Sequence, residues 1–231
     1  MGTDDLFKKR RGEKKRRSEN IRRIAPYRYL IVCEGEKTEP NYFRGIKERI
    51  EKVYKDKIDV KSKIELDIKG TGRNTEDLVD FAIMIRSLSA IPYGHVWVVF
   101  DKDDFSDEQF NNSIVKAKQN DINVAWSNES IELWFLIHFI NLDAAIRRTD
   151  YIKKLNQIFT REGINGGRYE KNLINIFEIL SSNERLYRAI ERSKKLRETF
   201  DNKDIQPSKM NPCTTVDILV EELLEYISRT E

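Results

Sequence analysis

Two short runs constrain this chain more than anything else in it. Tyr29–Cys33 (YLIVC) and His95–Phe100 (HVWVVF) are apolar almost throughout, and each leads directly into acidic residues. Runs this short, rich in β-branched and aromatic residues, suit strands buried on both faces better than helices. Such strands belong to parallel sheets sandwiched between helices, so the pair predicts an α/β fold. Glu34 with Gly35 after the first run, and Asp101, Asp103 and Asp104 after the second, then fall at the carboxyl ends of buried strands.

The intervening pattern agrees with this reading. Phe43, Ile46, Ile50 and Val53 recur every three or four residues behind Pro40, which predicts a helix over Glu39–Tyr54. Ser62–Ile68 alternates Ile64, Leu66 and Ile68 with charged residues, a strand closed by Gly70 and Gly72. Asn74 is an N-cap for a helix with Leu78, Phe81, Ala82, Ile85 and Leu88 on one face. A helix over Asp107–Gln119, a short strand over Asn123–Trp126, and a helix starting at Ser127 or Asn128 and running through Ile140 complete a strand-helix alternation. This order predicts a Rossmann-like, mostly parallel sheet covered on both faces. From Leu142 onward the spacing is helical over Tyr151–Phe159, Lys171–Leu180, Leu186–Phe200 and Val216–Ile227, with a loop at Gly163, Gly166 and Gly167. The expected organisation is a basic arm over 1–24, an α/β core over 25–141, and a helical lobe over 142–231 packed on that core.

With 39% hydrophobic and 35% charged residues, the chain can bury a core and is unlike a disordered one. Its net charge of +3 conceals an arm in which ten Lys or Arg between Lys8 and Arg23 face only Glu13 and Glu19. Arg10, Arg11 and their neighbours could neutralise nucleic-acid phosphates, or form a merely solvated tail. Two cysteines give neither a disulfide framework nor zinc spacing, and Cys33 suits a reduced, buried thiol. The polar, basic start has no apolar stretch after it, and Leu133–Ile140 is too short to span a bilayer, so a cytoplasmic protein without a membrane segment is expected.

In open parallel sheets, ligands collect beyond the carboxyl ends of the strands, where Glu34, Asp101 and Asp103 are expected. Three clustered carboxylates repel one another unless a cation is present, and an all-oxygen set suits Mg²⁺ or Mn²⁺. The bland alternative makes Asp103 or Asp104 the cap of the next helix. Glu132, at the start of an apolar helix, is a further candidate ligand or a partner for an Arg or Lys of the lobe. Glu36 and Glu39 read as helix-start carboxylates that favour the macrodipole. Gly70-Thr71-Gly72 allows close approach of a phosphate, or is a plain turn. His95 and His138 read as structural, which leaves no Ser-His or Cys-His arrangement and favours metal-dependent chemistry.

The wording around these positions is specific. Cys33-Glu-Gly-Glu-Lys-Thr-Glu-Pro-Asn-Tyr-Phe43, Ser127-Asn128 before Ile131-Glu-Leu-Trp-Phe-Leu-Ile-His-Phe139, Tyr169-Glu-Lys171, and Asn211-Pro-Cys-Thr-Thr-Val216 resemble the RloB family, related to the second component of the AbiL abortive-infection system. Glu34-Gly35 with Asp101-x-Asp103 resembles the TOPRIM domain of topoisomerases, primases and certain nucleases. The resemblance runs from about Tyr27 to Leu224. It implies a TOPRIM core with a C-terminal helical lobe, acting as a Mg²⁺- or Mn²⁺-dependent endonuclease in phage defence. The substrate would be RNA, tRNA included, or DNA, and a partner ATPase would be encoded nearby; a homo-oligomer is compatible with it. Residue by residue, it implies metal ligation by Asp101 and Asp103, either ligation or the role of general base for Glu34, and a catalytic role for Lys171, with Glu132 a fourth candidate metal ligand on the burial argument above. Nucleic-acid contacts are implied for Lys37, Tyr169 and Lys171, beside Arg10 and Arg11; surface lysines and core packing of Tyr169 are the bland alternatives. Asn128-Glu129-Ser130 departs from the Asn-Pro usual there. Two other classes compete: a non-catalytic TOPRIM-like subunit that binds nucleic acid or an ATPase, and a phosphatase with an aspartyl nucleophile. The latter usually carries Asp-x-Asp on its first strand, where this chain has Glu34.

Overall fold

The computed structural model describes residues 25–54, 65–201 and 204–228. The basic arm over 1–24 and the first residues of the expected second strand lie outside them. Four parallel strands, β1 (Ala25–Cys33), β2 (Glu65–Gly70), β3 (Tyr93–Asp101) and β4 (Asn123–Asn128), and a two-residue antiparallel strand β5 (Cys213–Thr214) form one sheet in the order β2-β1-β3-β4-β5. The Rossmann-like α/β expectation therefore holds.

Strand alternation decides what covers each face. Tyr29, Ile31 and Cys33 of β1 and Trp97 and Val99 of β3 enter one core. Leu30 and Val32, with Val96, Val98 and Phe100, enter the other, which α2 (Thr75–Leu88) and α3 (Asp107–Gln119) cover. The first face packs against α1 (Thr38–Tyr54), α4 (Glu132–Ile137), α5 (Arg148–Glu162), α6 (Ile176–Ser181), α7 (Arg185–Glu198) and α8 (Val216–Ser228). Core and lobe are thus one apolar mass on that side, with Trp134, Phe135, Phe159 and Phe177 all within it.

Caps place the helices. Asn74 accepts from Asp77 N at 2.9 Å to start α2, as expected, and Ser106 with Gln109 forms a capping box on α3. Ser106 fills the role that the bland reading gave to Asp103 or Asp104.

Three expectations need correction. Ser127 and Asn128 do not open a helix: they end β4, where Ser127 pairs with Asp101 on one side and Thr214 on the other. The helix that follows covers only Glu132–Ile137. Lys171–Leu180 is not helical throughout, because α6 starts at Ile176. Thr38 Oγ1 donates to the Lys171 carbonyl at 2.9 Å, and Asn41 Nδ2 to those of Asn172 and Leu173 at 3.2 and 3.3 Å. Those carbonyls are partly satisfied by α1 side chains instead of a helical ladder. Finally, the region read as purely helical contributes β5, whose Cys-Thr pair is too short for a periodic signal.

Among the described residues, no helix is long and apolar enough to cross a membrane. Cys33 and Cys213 are both buried free thiols.

Candidate functional site

The strand order reverses between β1 and β3: the chain leaves β1 for β2 on one side and returns through α2 to β3 on the other. Such a switch point opens a crevice at the carboxyl ends of the two strands. Glu34 follows β1 and Asp101 ends β3, so both acids stand at that crevice. Asp101 keeps the parity of Trp97 and Val99, which turns its side chain toward α1 and α4. The two loops are tied together by Glu34 N donating to Val99 O at 2.9 Å and Asp101 N donating to Glu34 Oε2 at 3.2 Å.

Four carboxylates gather here. Glu34 is half-buried, while Glu39, Asp101 and Glu132 are buried, at 5%, 9% and 1% exposure. Burial pushes Glu34 up to about 7; the Asp101 N–H opposes the rise, and the charges of Glu39 and Asp103 add to it. Asp101 is held well above the carboxylate range by burial and then by the charges of Glu39, Glu132 and Glu34, against a donation from Ile131 N. Glu39 is raised by burial and then by Glu132. Glu132 is the best anchored: Ser130 Oγ donates to its Oε2 at 2.6 Å, Tyr169 OH donates to its Oε1 at 3.2 Å, and Lys171 Nζ lies 3.5 Å from that oxygen.

Glu39 is where the sequence reading fell short. It does lie in the first turn of α1, as a helix-start carboxylate should, but it points into the protein and its Oε2 has no hydrogen-bond partner. A methyl group on Gly35 would overlap that carboxylate, so a larger residue there would displace the Glu39 side chain. Gly70 meets a similar limit, with the Glu36 and Gly35 carbonyls 2.7 and 2.8 Å from where its Cβ would stand. Gly70-Thr71-Gly72 thus packs as a turn against the Glu34 loop, with Thr71 N donating to Cys33 O and Gly72 N to Glu34 O.

Asp103 has a left-handed backbone (φ 35°), its N–H donates to Glu129 O, and its carboxylate is closed by the Arg148 guanidinium. Arg148 N in turn donates to Glu129 Oε2 at 2.8 Å. The Asp103 pairing, together with the charges of Glu132 and Asp101, outweighs burial and holds the Arg148 guanidinium above its usual range. Nothing in the sequence singled out Arg148, because Arg147-Arg148 looks like any solvated basic pair ahead of a helix. Lys102, between the two aspartates, turns away to the Phe105 carbonyl and Asp107.

The remaining expectations divide. Lys171 reaches the site and pairs with Glu132, which also realises the expected ion pair of Glu132 with the lobe. Tyr169 is in the site but offers no face to a base: it is buried edge-on against Phe135 and Phe159. Core packing, with its hydroxyl on Glu132, is its role in this structure. Lys37 is exposed at the start of α1, and Arg10 and Arg11 lie outside the described residues. His138 is buried with Nδ1 on the Trp134 carbonyl, and burial lowers it to about 3, so it stays neutral. His95 stacks on Tyr29 and pairs with Glu222. Both are structural, as read.

Four acids answered by Arg148 and Lys171, with one oxygen unpartnered, are a donor set suited to a hard divalent cation. As placed, however, no three acidic, histidine or cysteine side chains among the described residues are arranged to hold a single metal ion. Binding would require Asp103 to leave Arg148, or waters of the ion to bridge to the acids.

The quoted motifs converge on this place. Thr38 and Asn41 of the first motif hold the Lys171 segment; Asn128 Nδ2 donates to Ser208 O; and Thr214 and Thr215 bond Trp126 and Ser127. No curated protein matches the chain, and no solved structure does. A family model described as RloB-like protein matches residues 29–223, from the first buried strand into the last helix, and the chain belongs to the RloB-like family.

Proposed function

We propose that this protein is a Mg²⁺- or Mn²⁺-dependent endonuclease with a TOPRIM-type site, acting in the cytoplasm as an anti-phage effector on RNA or DNA. The observation that carries this reading is the burial of Glu39, Asp101 and Glu132 beside Glu34 at the sheet's switch point, with an unpartnered Glu39 oxygen. So many buried acids are costly to an apo-only structural protein and natural to one that recruits a cation.

Glu34, Asp101, Asp103 and Glu132 would hold the ion. Bound there, the metal would supply an activated water and neutralise charge on the phosphoryl oxygens. Glu34 serves as a ligand or as the base that takes the proton of the attacking water. Lys171 is half-exposed and lies beside Glu132, positioned to meet a non-bridging phosphate oxygen. Arg148, once released from Asp103, would be free to do the same. The defence setting and the partner ATPase rest on family resemblance, an associational support.

One observation favours the rival reading, a non-catalytic subunit binding nucleic acid or an ATPase: Asp103 is neutralised by Arg148, and the acids as placed do not close around one point. Cleavage of total tRNA, single-stranded DNA and plasmid by purified protein with Mg²⁺, Mn²⁺ or EDTA, alongside Asp101→Asn, separates the two. Metal-dependent cuts absent from a folded Asp101→Asn variant are expected. No cutting by the wild type, alone or with its partner ATPase and ATP, sinks the nuclease reading.

A further inference from the structure

Asp103 is held by a cation in a way that local structure favours for neither partner. Its carboxylate is closed by the Arg148 guanidinium, and its backbone is left-handed at φ 35°, a region that a non-glycine residue keeps only when its surroundings hold it there. Arg148 is the first residue of α5, where a cation opposes the helix macrodipole. Glu129 fixes both ends of the contact: its carbonyl accepts from Asp103 N at 2.9 Å, and its Oε2 accepts from Arg148 N at 2.8 Å. The pair is also reachable from solvent, with the Asp103 side chain 27% and that of Arg148 33% exposed, whereas Asp101 and Glu132 are buried. Lys102, the cation next to Asp103 in sequence, is turned to Phe105 and Asp107 and takes no part.

We propose that Arg148 is an autoinhibitory latch: its guanidinium stands in for a divalent cation at Asp103, and an ion is held there only after Arg148 has let go. Four acids gather at the crevice, yet among the described residues no three are placed to hold one ion, and the latch supplies the cause. Guanidinium and ion compete for one carboxylate, so the ion's apparent affinity is reduced by the fraction of molecules in which the latch is open. A partly exposed pair is weak enough to open without unfolding the protein. The latch rests on the metal-dependent reading above and adds to it a resting state, in which the site as folded is closed to the ion.

Mn²⁺ alone is the probe, its affinity measured on the full chain by calorimetry and by electron paramagnetic resonance of the free ion. Arg148→Ala should bind Mn²⁺ more tightly than the wild type by at least about tenfold, as for a latch closed in about nine molecules of ten. Arg147→Ala removes the same charge from the exposed neighbour and should change the affinity by less than about threefold, because solvent and salt screen it. In Asp103→Asn, where the latch has no carboxylate to hold, adding Arg148→Ala should likewise gain less than about threefold. Melting supplies a second reading: in EDTA, Arg148→Ala should melt below the wild type because Asp103 has lost its partner, and a given Mn²⁺ concentration should raise it more. Should Arg148→Ala fail to fold, Glu129→Ala keeps both members of the pair and frees only the Arg148 N–H. It should also bind Mn²⁺ more tightly than the wild type, although losing a negative charge would by itself weaken binding. Mn²⁺ affinity that is unchanged or weaker in a folded Arg148→Ala, or raised equally by Arg147→Ala or in the absence of Asp103, overturns the latch and leaves the metal-dependent reading standing. If none of the proteins binds Mn²⁺, both fall. Tighter Mn²⁺ in Arg148→Ala, with no nucleic acid cut by it or by the wild type, sustains the latch and removes only the nuclease.

Discussion

A carboxylate costs little on a surface and much in a core, and at this crevice the difference can be titrated. Glu34 is held at about 7 against an ordinary value of 4.5. Between those values the native state holds a proton that the unfolded chain has released, so stability falls as pH rises through the window. Below 4.5 both states are protonated and the stability is fully present. In EDTA, Glu34→Gln should therefore match the wild type near pH 4, gain on it between 4.5 and about 7, and keep a constant lead above that. Melting curves across pH check this, and a difference independent of pH would show that Glu34 is not strained by its setting. His138 titrates with the opposite sign, losing stability as pH falls from 6.5 toward 3, but it is common to both proteins and cancels. At this scale the sequence was uneven. Glu34 and Asp101 were legible because each follows an apolar run at the end of a strand, and Glu132 because it heads one. Glu39 was not: a Glu ahead of Pro in a first helical turn looks the same whether it faces water or core. Arg148 was silent, because the partner that gives it meaning lies 45 residues away.

Among the elements, α7 and α8 meet through a buried charge pair. Arg197 Nη1 and Nη2 reach the two oxygens of fully buried Asp217 at 2.5 and 2.7 Å, and Ser193 adds a donor at 2.7 Å. Removing one partner leaves the other buried and uncompensated, so Arg197→Ala should cost about 3–5 kcal/mol in urea unfolding. Arg197→Ala with Asp217→Leu should recover a good part of that loss; if it does not, the pair's contribution is packing. The β2 turn offers a steric counterpart: Gly70→Ala places a methyl against the Glu36 and Gly35 carbonyls and should cost about 1–3 kcal/mol. The long elements were legible, since α1, α2, α3, α7 and α8 each carry apolar residues at helical spacing. What escaped was set by hydrogen bonds between distant segments. The 171–173 stretch is drawn out by Thr38 and Asn41, and β5 exists because Thr214 and Thr215 find Trp126 and Ser127.

For the whole molecule, the division into a core over 25–141 and a lobe over 142–231 describes the sequence better than the packing. The apolar mass under β1 and β3 is shared among α1 and α4 through α8, and Tyr29 of β1 donates to Glu222 of α8 at 2.6 Å. A fragment of residues 25–141 would expose one entire face of its sheet, so it should show no cooperative melt and should bind hydrophobic dyes. A sharp thermal transition in that fragment would restore the two-part picture. The sheet edge also orders events in time. The β4 loop that carries Glu129 and Ser130 toward the acids is pinned by Thr214, 87 residues downstream. At roughly 5–20 residues per second, a ribosome needs about 4–17 seconds to travel that distance. Throughout that interval the nascent chain carries the β4 end without the strand that pins it, so the five-stranded sheet is completed only after synthesis has passed Thr214.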